Sequence, residues 1–310
     1  MSSLAPVIIF AYKRLDTLQQ TIDSLKKCDL ADESEVIIFS DAAIGDADFE
    51  QVAIVRQFLK ELVGFKSIKL NFLEKHKELA NSIIDGVTNV INQYGKVIVM
   101  EDDLQSSKNF LVYMNKALDR YENSAKVFSI SGYCFPIKIP QNYKFDVYFI
   151  PRASSWGWAT WNDRWKSIDW QVSDYSDFRK SKKNILEFNQ GGSDLSRMLE
   201  RQMKGKINSW AIRWAYHQYK IKGLAVCPII SKIKNMGFSN QATNSNVYNR
   251  YKTPLDVSSK TDFIFPNEVK LQPYLLAQFQ TFFSIKTRAY NKVKTLLYKV
   301  GIISNNNYEK

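Results

Sequence analysis

Short apolar runs alternate with amphipathic stretches along the first 130 residues. Val7–Ala11, Val36–Ser40, Ser67–Phe72, Val97–Met100 and Val127–Ser131 read as strands. Helices are predicted between them, over roughly Thr17–Lys27, Phe49–Leu62, Ala80–Gln93 and Asn109–Tyr121. The second helix carries Val52, Val55, Phe58, Leu59 and Leu62 on one stripe, and the third Ile83, Ile84, Val87, Val90 and Ile91. Apolar strands separated by helices predict an α/β fold whose mostly parallel sheet is covered on both faces. Ligands of such sheets bind beyond the carboxyl ends of the strands. Arg14 follows the first strand, Asp41 the second, and Glu101-Asp102-Asp103 the fourth.

Past residue 132 the rhythm changes. Strands are predicted at Val147–Ile150 and Leu224–Pro228, and helices at about Ala159–Lys166, Ser176–Glu187, Leu195–Lys204 and Trp210–Tyr219. Tryptophans crowd at Trp156, Trp158, Trp161 and Trp165, and residues 235–262 read as loop. A helix over Ala289–Val300 would line Tyr290, Val293, Leu296, Leu297 and Val300 on one face. Arg288, Lys292, Lys294 and Lys299 would lie on its sides or back. Basic residues 286–300 then suit an anionic membrane surface, and docking on the protein's own core is the alternative. The chain divides at this stage into 1–132, 133–240 and 241–310. These are a ligand-binding α/β half, a tryptophan-rich second half of the same domain, and a basic extension.

Composition narrows the chemistry. The chain has 310 residues, three cysteines without C-x-x-C spacing, and two histidines, His76 and His217. Cysteine- or histidine-built metal sites are therefore disfavoured, and carboxylates must carry the reaction. The net charge of +12 is uneven: residues 1–150 hold 17 Lys/Arg against 20 Asp/Glu, and residues 151–310 hold 26 against 11. The second half asks for an acidic partner, whether nucleic acid, anionic lipid or a phosphorylated substrate. No stretch reaches the roughly 18 apolar residues of a membrane span. A cytoplasmic protein, or one peripheral on the inner face of the cytoplasmic membrane, is expected.

Three adjacent carboxylates repel one another at the end of a buried strand unless a cation shares the site. A divalent ion held by one or two carboxylates and completed by substrate phosphates is one outcome. Capping of the following helix is the other. Asp41 could accept a hydrogen bond from a base or sugar, or form a turn. His76, between Lys75 and Lys77, suits either a basic pocket or the open surface.

Taken in order, Pro6–Arg14, the strand ending at Asp41, and Val97–Leu104 with its Glu-Asp-Asp-Leu resemble a GT-A glycosyltransferase. The closer likeness is to the N-acetylglucosaminyltransferase I type and to bacterial capsule or lipopolysaccharide family 2-type sugar transferases. Ser129–Tyr133, Pro151–Trp158, Trp210–Trp214 and the later Cys227-Pro228 and Asn235–Phe238 extend it to about residues 5–240. The resemblance implies that Asp103 binds Mn²⁺ or Mg²⁺ bridging the phosphates of a nucleoside diphosphate sugar, with a UDP-sugar favoured. It implies that Glu101 and Asp102 hold ribose, sugar or metal-bound water, that Asp41 reads uracil, that His76 approaches the base, and that Arg14 assists at the diphosphate. Trp156, Trp158, Trp210 and Arg213 would contact sugar or acceptor, although tryptophans serve equally as core.

An inverting member needs a carboxylate to take the acceptor's proton. The family's base lies in a Trp-Asp-Asp-Trp-like segment that aligns with Trp210–Trp214, where this chain has Ala211 and Ile212. Related bacterial sequences often carry Asp at the position of Asn208. Asp194 is a candidate replacement, with Glu200 behind it. The expected activity is metal-dependent sugar transfer to a glycan or lipid-linked acceptor in surface polysaccharide or glycolipid synthesis. A related nucleotidyltransferase, a degenerate glycan-binding relative and a basic nucleic-acid-binding protein are the rival classes, the last without a recognition module.

Overall fold

A computed structural model of the chain describes residues 3–238 and 247–304. Strands β1 (Val7–Ala11), β2 (Glu35–Ser40), β3 (Ser67–Phe72) and β4 (Lys96–Glu101) run parallel, joined by helices α1 (Leu15–Lys26), α2 (Asp46–Lys60) and α3 (Glu78–Tyr94). All five residues of β1 are buried, as the wholly apolar sequence of a central parallel strand requires. After β4 come β5 (Leu104–Ser106), α4 (Phe110–Tyr121), β6 (Val127–Ser131), β7 (Val147–Ile150) and β8 (Trp158–Trp161). Helices α5 (Asn162–Lys166), α6 (Tyr175–Phe178), α7 (Lys182–Phe188), α8 (Leu195–Met203) and α9 (Trp210–Lys220) follow. Strands β9 (Leu224–Pro228) and β10 (Ile233–Asn235) and helices α10 (Pro273–Phe282) and α11 (Ile285–Lys299) complete the order.

Among the described residues, eight strands form one mixed sheet in the order β3-β2-β1-β4-β8-β6-β9-β7, and β5 pairs with β10 in a small second sheet. This is a Rossmann-like α/β fold. One face packs residues of α1, α2 and α4 against the sheet, including Leu18, Ile22, Val55 and Leu118. The other packs Ile83, Val87 and Ile91 of α3 with Trp158, Trp165, Trp210 and Trp214. Each such buried aliphatic side chain stabilises the fold by about 1.5–3 kcal/mol relative to exposure.

The expected elements of the first half all form, within a few residues at their ends. The second half brings corrections. Ala159–Trp161, the start of the predicted helix Ala159–Lys166, belongs instead to β8 (Trp158–Trp161), hydrogen-bonded antiparallel to both β4 and β6. All four of its residues are buried, so it shows no alternation that a reading of periodicity could use. The predicted helix Ser176–Glu187 is two helices, α6 and α7, broken where the Ser181 side chain caps α7 through the Asn184 N–H. Helix α10, with Pro273 at its first turn, was not predicted. The boundary placed at 240 and part of the loop read over 235–262 lie outside the described residues. No helix among the described residues is long and apolar enough to cross a membrane.

Candidate active site

The carboxyl ends of β1, β2 and β4 open on one cavity of about 470 Å³. Because these strands are parallel neighbours, Arg14, Asp41 and Glu101–Asp103 reach its wall from three separate loops. His76, Glu78, Leu79 and Ser82 enter from the start of α3, Ser155 and Trp156 from the loop before β8, and Asn235, Gly237 and Phe238 from β10 and its exit.

Asp41 is buried at the end of β2. Its Oδ1 accepts from the Ala42 N–H at 2.9 Å and the Lys77 N–H at 3.0 Å, and its Oδ2 lies 3.0 Å from His76 Nδ1. A carboxylate facing the first N–H groups of α3 also opposes the positive end of that helix. The Tyr12 ring stands 5.4 Å from the His76 ring and is tilted 47° to it, which makes an aromatic corner beside Asp41.

The acidic triplet stands at the end of β4. Arg14 Nη2 donates to Asp102 Oδ1, and to Asp103 Oδ2 at 3.0 Å. Burial pulls the Arg14 guanidinium down, but Asp102 and Asp103 outweigh it and hold the group above its usual value. Burial, then the charges of Asp103 and Asp102, pushes Glu101 up to about 8. Asp102 is raised to about 6, chiefly by burial and despite Arg14. One guanidinium is therefore too little positive charge for three carboxylates.

Residues beyond β10 shape the same place. Met236 N–H donates to the Asp103 carbonyl at 2.8 Å, and a Cβ on Gly237 would lie 2.3 Å from Asp103 Oδ2. Glycine thus leaves that oxygen its room. Among the described residues, no three His, Cys, Asp or Glu side chains are grouped to hold a metal by themselves. Hard divalent ions that carry substrate phosphates need only one or two protein carboxylates, so this donor set fits such an ion.

The other expected site residues are placed as follows. Trp156 stands where the main cavity meets two neighbours of about 240 and 320 Å³. Trp158 and Trp210 do not reach the cavity: they are buried, 5.1 Å apart between centroids, inside the core around Trp214. Asp194 makes a two-point ion pair with Arg152, at 2.9 and 3.0 Å, beside the smaller neighbouring cavity. Burial raises the Asp194 carboxyl, but Arg152 outweighs it and holds the group below its ordinary value, which makes it a weaker base. Glu200 is exposed on α8 and paired with Lys204. Asn208 Nδ2 donates to Glu78 Oε2 at 2.7 Å, and Arg213 Nη2 donates to Asn208 Oδ1 at 3.3 Å.

Glu78 and Ser82 were missed in the sequence, and Asn235 and Gly237 were given no role. Glu78 and Ser82 are one turn apart at the start of α3, a spacing that puts them on one face. That signal was available only to a reader who already knew this face meets the cavity.

The sequence model of glycosyl transferase family 2 matches residues 7–185. The chain belongs to that family and is classed as a glycosyltransferase. Among solved structures it is similar to S. aureus TarS 1-349, at 10% identity over 75% of this chain and 60% of that one, with a TM-score of 0.39. It is similar also to full TarS, at 15% identity over 49% of this chain and 25% of that one, TM-score 0.31. A third is the mannosyltransferase PcManGT from Pyrobaculum calidifontis in complex with GDP-Man and Mn²⁺, at 14% identity, 52% and 45% coverage and TM-score 0.34. The chain spans less than two thirds of each of these structures. No curated protein matches it.

Proposed function

We propose that the chain is an inverting, metal-dependent transferase that moves a sugar from a nucleoside diphosphate sugar, with UDP favoured, to a hydroxyl of a glycan or lipid-linked acceptor. The observation that carries this reading is the convergence of Arg14, Asp41 and Glu101–Asp103 on one cavity from three parallel strand ends. Asp41 and His76 with the Tyr12 ring would hold the base, Glu101 and Asp102 the ribose or sugar, and Trp156 the apolar face of the sugar or acceptor. Arg14, once drawn from the carboxylates, would meet the diphosphate. Asp103 would hold Mn²⁺ or Mg²⁺; bound there, the ion supplies charge that stabilises the departing diphosphate.

Surface polysaccharide or glycolipid synthesis is the setting this chemistry suits. Helix α11 has no buried residue and exposes Tyr290, Val293 and Leu296. Between Glu268 and Glu309 the chain carries six Lys/Arg and no Asp or Glu. Such a helix would rest on an anionic membrane. Each basic residue near the surface is worth about 1 kcal/mol there, so Lys292→Gln should weaken binding to phosphatidylserine vesicles several-fold.

Calorimetry with a panel of nucleotide sugars, in Mn²⁺ and in EDTA, tests the donor site. The parent should bind one donor only with the metal, and Asp103→Ala should lose that binding by 100-fold or more. Equal behaviour of the two proteins would sink the reading.

A further inference from the structure

The segment expected to carry the base has none: Asn208, Ala211 and Ile212 cannot take a proton. The amide of Asn208 is instead joined to a carboxylate from another element, Glu78 on α3. We propose that Glu78 is the catalytic carboxylate that accepts the proton of the acceptor hydroxyl, and that Asn208 is its positioning residue. The proposal rests on the glycosyl-transfer reading above.

Four observations carry it. Glu78 lines the main cavity and is solvent-exposed, so an incoming hydroxyl can reach it. Its backbone has φ +64°, in the left-handed region that favours glycine. A non-glycine residue there costs on the order of 1 kcal/mol, and such strain gathers at functional sites. The orientation of the Asn208 amide is fixed, because Arg213 donates to its oxygen and is itself held by the Ser209 and Trp170 carbonyls. The Asn208 NH₂ group must then face Glu78, where it bonds Oε2. Among the described residues nothing bonds Oε1, which leaves its lone pairs for a substrate. Finally, Ser82 Oγ, one turn further along α3, is buried in the cavity wall without a hydrogen-bond partner among the described residues. A buried hydroxyl left unmet points to a ligand atom at this face.

Three of the four other cavity carboxylates are engaged elsewhere, and the fourth, Glu101, stands with the Arg14-bound acids at the end of β4. Asp41 is bound by two backbone N–H groups and His76, and Asp102 and Asp103 by Arg14. In the reaction, the acceptor O–H donates to Glu78 Oε1. Its oxygen attacks the anomeric carbon as the proton passes to the carboxylate. The bond from that carbon to the diphosphate oxygen breaks, and its electron pair leaves with the nucleoside diphosphate. With water as acceptor the products are the free sugar and the same diphosphate.

Parent, Glu78→Gln, Asn208→Ala and the double variant Glu78→Gln/Asn208→Asp would be compared. UDP and GDP binding with Mn²⁺ is read by calorimetry, and nucleotide release from UDP- and GDP-sugars in water by coupled assay. Glu78→Gln should bind nucleotide within about threefold of the parent while turnover falls 100-fold or more. Asn208→Ala should lower kcat about tenfold with donor KM unchanged, a split that a purely structural role would not give. The double variant returns a carboxylate across the same hydrogen bond and should recover at least tenfold over Glu78→Gln. Parental turnover in Glu78→Gln, or loss of its nucleotide binding, overturns the proposal. So does a parent that binds nucleotide and releases none from any donor, since a base in place would activate water. A parent that binds neither nucleotide sinks the donor-site reading itself, and this proposal with it.

Discussion

Two buried clusters of charge, one lining the main cavity and one beside its smaller neighbour, behave oppositely. At the end of β4, Glu101 and Asp102 lie above their ordinary values, because burial and mutual repulsion exceed what Arg14 offsets. In the second half, Asp194 lies below its ordinary value in a two-point bond with Arg152. Lys232 meets Asp256 at one oxygen and holds it down at about 2 against the effect of burial. A buried acid that is low already has its cation and serves the fold. One that is high lacks positive charge, and a ligand can supply it. By this comparison Asp194 is already matched by Arg152 although it lies near the cavities, and the triplet is the cluster that its one guanidinium does not balance.

The comparison breaks most visibly if Arg152 is removed. Arg152→Met leaves Asp194 largely buried and unpaired, and should cost about 3 kcal/mol in urea unfolding, the lower end for a buried pair broken on one side. Arg152→Met/Asp194→Leu should recover most of that loss, and neither variant should alter nucleotide affinity. A smaller effect is expected at the triplet, and it depends on pH. Glu101 is raised in the folded state from 4.5 to about 8. Its contribution to stability is therefore complete below its unfolded value and lost as pH rises toward 8. Melting curves of the ligand-free protein should show this decline, and Glu101→Gln should reduce it, by on the order of 1 kcal/mol at pH 8. Mn²⁺ with UDP should raise the melting midpoint more at pH 8 than at pH 5, because the ion favours deprotonated carboxylates. The smallest effect belongs to Glu200, which is exposed and paired only within its helix. Glu200→Gln should stay within about 0.5 kcal/mol of the parent in urea and leave donor turnover unchanged.

What could be read in the sequence follows from how burial is distributed. Strands β1, β2 and β4 are apolar runs between amphipathic helices, and those helices bury one face only, so periodicity located them. The groups just after such strands must lie at the ligand edge, which is why Arg14, Asp41 and Asp103 were placed without coordinates. Strand β8 hid because Trp158–Trp161 is buried on both faces, and a short apolar run of that kind looks the same in a helix. Strands β5 and β10 have three residues each, too few for any period. Trp158 and Trp210 could not be told from Trp156, since an indole suits a core and a sugar alike. Glu78 was invisible for a different reason: its neighbour Asn208 is 130 residues away in the chain.

Strand β8 has a consequence for how such a chain can be recombined. It comes from the second half, yet it is stitched between β4 and β6 of the first. A fragment ending at Gly132 would lose β8 and β9 together, leaving β4 with a bare edge and β6 with no neighbour at all. Bare edges invite pairing with other chains. A crossover between relatives would have to fall after Trp161, so that the first half keeps β8 with it.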